Sequence, residues 1–199
     1  MALTHANRRL EFGGHPAIVT RVIDTGEPGY DISVERAQAD VLGRAIAAAG
    51  LVSVDQETAD AIRIEAGVPV FNRDMDAETI PLEAGIESRA ISLSKGCYVG
   101  QEVIIRVLHR GHGRVALKLA GLSFDGPAVP VTGASVMVES REIGHVTSST
   151  WSPALQRPVA LAYLHRDFLA PGTAVSVDGQ PATVAELPFV RGAVSGGTV

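Results

Sequence analysis

SVMVESREIGHVTSST, residues 135–150, decides how the second half of this chain is read. Residues 135–139 and 143–150 are short runs rich in valine, isoleucine and threonine, and the polar residues 140–142 between them form a turn. The pattern repeats on either side. Residues 115–122, 159–164, 174–177 and 183–187 are further short apolar runs, bounded by Gly, Pro, Ser or the pair Asp178-Gly179, a strong signal for a tight hairpin. Six short strands at this spacing predict a small closed antiparallel barrel over residues 112–190.

The first half has a different texture. Residues 17–24 (AIVTRVID) form an apolar, β-branched strand that stops at the turn cluster Thr25-Gly26-Glu27-Pro28-Gly29, and residues 30–34 (YDISV) alternate as the returning strand. Residues 35–49 repeat at helical spacing, with Ser33 as a candidate cap and Gly50 as the stop. A second helix is expected over 55–66, with Asp55 at its N-cap and Gly67 then Pro69 ending it. Residues 71–94 have little periodicity. They read as extended chain or short helical turns, one of them at Pro81-Leu82-Glu83-Ala84, ended by Gly85. The whole is an α+β chain: an α/β region over 1–111, the barrel over 112–190, and a Gly/Ser-rich tail over 191–199 expected to be disordered.

A hydrophobic content of 46% with 20% charged residues excludes an intrinsically disordered chain. No apolar run approaches the ~18 residues of a membrane span, and the N-terminus lacks the apolar core of a secretory signal. One cysteine excludes an intrachain disulfide and agrees with a reducing compartment, so a cytoplasmic protein is expected. The formal net charge is −5, but the sign is segregated. Residues 55–87 carry nine acids against two arginines and read as a solvated helix face and acidic loop. Residues 95–118 carry five basic side chains and one acid, with His109 and His112. That pair alone is weak evidence for a metal, and no metal site is expected.

The cysteine opens this basic run, in Lys95-Gly96-Cys97-Tyr98-Val99-Gly100-Gln101-Glu102. A nearby cation favours thiolate, the form that attacks or ligates, and Lys95 is the candidate stabiliser. Tyr98 is positioned to cover such a pocket. Gln101 and Glu102 are candidates for fixing the loop, or for ordinary turn hydrogen bonding. The alternative for Cys97 is a small core residue in a tight turn.

KGCYVGQE resembles the signature of the YgfZ family of folate-binding proteins, relatives of the glycine-cleavage T-protein (aminomethyltransferase, the GcvT superfamily). Other segments are similar too: TGEPGYDI (25–32) to the superfamily's TGExGYE, RIEAGVP (63–69) to RLEAGxP, and PLEAG (81–85) to its counterpart. GHVTSSTWSP (144–153) resembles the GxVTSxxxSP hairpin of the C-terminal barrel. The resemblance implies a partial T-protein-like folate-binding region followed by the barrel. In the family a further N-terminal domain precedes the TGE segment, which here begins 25 residues from Met1. The chain thus resembles the second half of such a protein. The T-protein's catalytic aspartate belongs to the other half.

By resemblance Asp31 stands where the superfamily has a pterin-binding glutamate, with Glu27 and Tyr30 beside it. A carboxylate can accept the paired N–H donors of a pterin edge. Asp24 stands where T-proteins carry a stacking aromatic. Arg63 is a candidate for the glutamate tail of folate, or for an i,i+3 pair with Asp60.

The implied function is a folate-dependent accessory protein for iron–sulfur cluster assembly or repair, linked to tRNA modification, acting through Cys97 and Lys95 rather than as an enzyme with ordinary turnover. The implied cofactor is tetrahydrofolate or a derivative. The implied partners are a reduced folate and an iron–sulfur assembly or client protein. The alternative is an aminomethyltransferase passing a one-carbon unit to tetrahydrofolate. Direct nucleic-acid binding is disfavoured by an aromatic content of 5%. Self-association is expected if an absent half leaves apolar surface uncovered.

Overall fold

The structure, a computed structural model, describes residues 5–109 and 114–190. The expected tail and the expected boundary at 111/112 lie outside the described residues. The chain divides into two compact units, with the division inside a helix after Arg63.

In the first unit, β1 (Asn7–Phe12), β2 (His15–Val22) and β3 (Gly29–Val34) form an antiparallel meander. Gly13 and Gly14 connect β1 to β2, both at positive φ, which a two-residue hairpin turn requires. β2 stops at Val22 rather than at the expected 24, and residues 23–28 connect it to β3, with Val22 opposite Gly29. The expected helix over 35–49 is instead a 3₁₀ turn, Arg36–Gln38, followed by α1 (Ala39–Ala48). Ser33 is not its cap, because it still belongs to β3, paired with Ile18. Gly50, at φ +88°, ends the helix as expected. The cap of α2 (Gln56–Glu65) is Asp55, whose Oδ1 accepts from Thr58 N at 2.8 Å. That bond holds the Asp55 carboxyl below its ordinary range.

In the second unit, Gly67 (φ +70°) closes α2. The chain then makes compact turns. Asn72 N donates to Met75 O, and Glu83 N donates to Ile80 O. Gly85 ends the second of these at φ +68°, as the sequence predicts. A short helix α3 (Glu87–Ala90) and an amphipathic α4 (Gln101–His109) follow. No helix among the described residues is long and apolar enough to cross a membrane.

The remaining strands are β4 (Leu117–Phe124), β5 (Ser135–Val138), β6 (Arg141–Ser152), β7 (Arg157–His165), β8 (Ala174–Val177) and β9 (Gln180–Ala185). They close in the order β4-β7-β6-β5-β8-β9, antiparallel throughout, as the six predicted runs imply. Of the two expected hairpin turns, Asp178-Gly179 falls in place, whereas the turn expected at 140–142 lies at Glu139-Ser140, with Arg141 and Glu142 already in β6. Val138 faces Arg141 across Glu139-Ser140, and Val177 faces Gln180 across Asp178-Gly179, whose φ values are +50° and +79°.

β7 explains the packing. Ala160, Ala162 and Leu164 point into the barrel with Leu122, Phe124 and Val146. Val159, Leu161 and Tyr163 point outward yet are also buried, because Ile64 of α2, with Leu187 and Phe189, covers them. A strand covered on both faces reads as a continuous apolar run rather than an alternating one. This also moves β9: it spans Gln180–Ala185 rather than 183–187, because Leu187 and Phe189 leave the sheet to cover that outer face.

Within the second unit, Glu65 is bonded to the end of β6 and to the chain after β9. Its Oε1 accepts from Ser152 Oγ and, at 3.2 Å, from Ala154 N. Its carbonyl accepts from Phe189 N at 2.8 Å and Val190 N at 3.2 Å. Ser152 is fully buried, so this charge-assisted bond falls in the class worth about 1.5–3 kcal/mol.

Candidate functional site

Glu27, Tyr30, Asp31 and Arg63 lie in the first unit. A hydrogen bond from Gly26 N to Ile23 O (2.9 Å) bends the chain at the end of β2, and Gly26 adopts φ +84°. Glu27 is half-buried in the turn. Tyr30 pairs with Arg21 and is 60% exposed, while Asp31 pairs with Thr20 and is also exposed. Side chains alternate along a strand, so Tyr30 and Asp31 are on opposite faces of the sheet. The exposed Asp31 lies on the Thr20 face and the exposed Tyr30 on the Arg21 face. Arg63 is buried, and its Nε donates to the Asp60 carboxylate. Of the two roles open to it in the sequence, the structure records the pairing with Asp60.

Lys95, Cys97 and Tyr98 lie in the second unit, on the loop leading into α4. Lys95 N donates to Ser92 Oγ at 3.2 Å, and Gly100 turns the chain at φ +85°. Gln101 fixes the corner: its Oε1 accepts from Tyr98 N at 3.2 Å, while its own N–H donates to Tyr98 O at 3.3 Å. This is the ordinary turn bonding anticipated for it. The Lys95 ammonium sits 4.6 Å from the centre of the Tyr98 ring, a cation–π contact. Cys97 is exposed, which sets aside its reading as a core residue. It borders a cavity of about 630 Å3, together with Tyr98, Gln101, Glu102, Ile105 and Arg106. Tyr98 thus borders the same cavity as the thiol. Among the described residues no group of His, Cys, Asp and Glu is arranged to hold a metal ion, and His112 lies outside them.

A third feature escaped the sequence reading. Asp74, counted there within a solvated acidic run, is 2% exposed. Its Oδ2 accepts from Val70 N (3.0 Å), and its Oδ1 accepts from Thr147 Oγ1 (2.6 Å), 73 residues away. Thr147 is the extra residue of a β-bulge in β6: Val146 pairs with Ala162 and Ser148 with Leu161. A bulge re-aims a side chain, and here it turns Thr147 toward Asp74. Around this contact lies a cavity of about 440 Å3, whose wall includes Asp76, Glu83, His145 and Tyr163. Asp76 lies below the ordinary carboxyl range because Thr79, with the Glu78 N–H, donates to it. The Tyr163 hydroxyl is pushed well above its ordinary value by burial, then by Asp74, Glu83 and Asp76, with Thr79 pulling weakly the other way. The signal available in sequence was Asp74 itself, an acid between Val70 and Met75.

With this geometry in hand, comparison with known proteins defines the class. Residues 118–191 match the glycine cleavage T-protein C-terminal barrel domain, and residues 3–95 match the GCVT N-terminal domain. The aminomethyltransferase of Streptomyces avermitilis is 37% identical over 188 residues, covering 89% of this chain and 50% of the relative. That of Chlorobium phaeovibrioides is 36% identical over 197 residues, covering 94% and 52%. The solved glycine cleavage system aminomethyltransferase T from Bartonella henselae shares the fold, with a TM-score of 0.79 at 24% identity over 88% of this chain and 50% of that one. Between them, the two matched domains of the glycine cleavage T-protein superfamily span residues 3–95 and 118–191. The chain spans about half the length of the curated relatives it matches.

Proposed function

We propose that this chain binds tetrahydrofolate and serves one-carbon transfer of the aminomethyltransferase kind, the second of the two functions the sequence resemblance implies. The observation that carries the reading is the exposed Asp31 on β3, set by the TGEPGYDI turn, in a chain 37% identical to a protein named aminomethyltransferase. Tetrahydrofolate supplies the amine nitrogens that accept the one-carbon unit. The residues present fit its pterin edge: a carboxylate accepting two parallel N–H donors fixes the ring's orientation, and Asp31 is accessible for that role. Glu27 shapes the turn that presents it. Arg63 is buried and held by Asp60, so the reading rests on Asp31 rather than on it.

Calorimetric titration of tetrahydrofolate, mono- and polyglutamylated, tests the reading. Asp31→Ala should weaken binding about 10–100-fold, the equivalent of ~1.5–3 kcal/mol for charge-assisted bonds. Equal affinity in the variant would remove Asp31 from the site.

A second reading, the accessory role in iron–sulfur cluster assembly through Cys97, is favoured by the exposed thiol in KGCYVGQE beside its own cavity. The two readings separate on one substitution. Cys97→Ala should leave methylene-tetrahydrofolate formation from an aminomethyl donor unchanged under the first, and should abolish complementation of a strain lacking the YgfZ-type protein under the second. Full rescue by the variant would sink the cysteine-dependent role.

A further inference from the structure

The cavity around Asp74 and Thr147 has a volume of about 440 Å3, within the ~300–1,000 Å3 typical of small-molecule pockets. Its wall brings together four carboxylates, from Asp74, Asp76, Glu78 and Glu83, against the single guanidinium of Arg73, so these five side chains carry a formal charge of about −3. These oxygens do not converge: no group of carboxylates and histidines among the described residues is arranged for a metal ion. Negative charge spread around a wall suits a cation larger than a metal ion, one that carries its own hydrogen-bond donors.

Two of the carboxylates are committed to the fold. Asp74 accepts from Thr147 and Val70, and Asp76 accepts from Glu78 N at 2.9 Å and from the Thr79 hydroxyl at 2.9 Å. Glu83 accepts one backbone N–H, from Ile80, at 3.3 Å. That leaves Glu78 and Glu83 as the carboxylates with most capacity for a ligand.

An independent observation comes from the opposite wall. Tyr163 is 6% exposed, and its buried hydroxyl has no hydrogen-bond partner at normal geometry, although the Thr79 hydroxyl is near enough to act weakly on it. A buried hydroxyl left unsatisfied is costly, and native structures seldom keep one without a reason. The acids and the burial around it keep this hydroxyl protonated and neutral, so its oxygen lone pairs can accept a proton donor. The ring is 5.9 Å from that of His145, and its face adds the attraction of an aromatic for a cation.

We propose that this cavity binds a primary alkylammonium group, received by Glu78, Glu83 and the hydroxyl of Tyr163. The site is distinct from Asp31 and from the Cys97 loop, and it does not rest on the folate reading.

The experiment is a titration of the 15N-labelled chain with n-propylammonium chloride, followed by amide NMR, with sodium propionate and magnesium chloride as comparison probes. Saturable shifts should centre on residues 72–83 and on 145 and 163, with a dissociation constant of about 1–10 mM, ordinary for one small cation. Glu83→Gln keeps an acceptor for Ile80 N and should weaken binding about threefold or more, while Glu78→Gln/Glu83→Gln together should abolish it. Tyr163→Phe should weaken binding while melting no lower than the parent, because it deletes an unsatisfied hydroxyl. The spectra of all three variants report whether each is folded. The proposal is overturned by shifts that fail to saturate, by an unchanged dissociation constant in the double variant or in Tyr163→Phe, by equal shifts with propionate, or by tighter binding of magnesium.

Discussion

Gly144→Ala should lower the stability of the barrel by about 3 kcal/mol or more, among the larger effects open to a single methyl group. The cause is space. A Cβ built at Gly144 would lie 1.8 Å from the Tyr163 carbonyl oxygen and 3.1 Å from the Leu164 Cα. Both are backbone atoms of β7, so no side chain can rotate away, and the β6–β7 ladder itself has to open. The dihedral plays no part, since Gly144 is not among the glycines at positive φ. In a chain of 199 residues such a loss lowers the midpoint of thermal unfolding by roughly 6–12 °C. A midpoint within about 2 °C of the parent would show that the two strands can separate at little cost.

Asp74→Ala should cost about 2–4 kcal/mol, by a different route. The carboxylate is buried and bonded at both oxygens, so removing it strands the Val70 N–H and takes away the partner of Thr147. The second loss is softened locally: the Thr147 hydroxyl also lies 3.2 Å from the Leu161 carbonyl and can turn to it. Asp74→Asn, which keeps an acceptor for the Val70 N–H, should recover about half of the loss. Denaturant unfolding is the measurement. A reduced midpoint with an unchanged slope is expected, since the surface exposed on unfolding stays the same. A parental midpoint for Asp74→Ala would mean that the 70–75 turn is held by other contacts.

The barrel was legible in the sequence because each strand carries its own local signal. Asp178-Gly179 has the residue types that a two-residue hairpin needs, and the apolar run 159–164 records burial on both faces. The caps of α2 were legible for the same reason, since Asp55 and Gly67 act within a few residues of themselves. β1 was not legible. NRRLEF carries two arginines and an asparagine, and only its pairing with β2 makes it a strand. The helix α4 was obscured by reading residues 95–118 through their charge, although Ile104 and Leu108 stand four apart on one face.

The candidate folate residues could be named from sequence, but their facing could not. Whether Tyr30 and Asp31 share a side of the sheet is settled by pairing register. The acidic cavity lay further out of reach. Its organising contact joins Asp74 to a threonine 73 positions away, and Thr147 turns toward it only because a bulge shifts the ladder by one residue. No periodicity within either segment encodes that meeting.

Closure of the six strands through β4 and β9 also limits how another macromolecule can be received there. A sheet that ends in an outer strand offers a row of vacant main-chain donors and acceptors, on which a second polypeptide can be templated. This ring has no such terminus. Association with the barrel is therefore governed by side chains and turns, and so by residues that can change without disturbing the ladder beneath them.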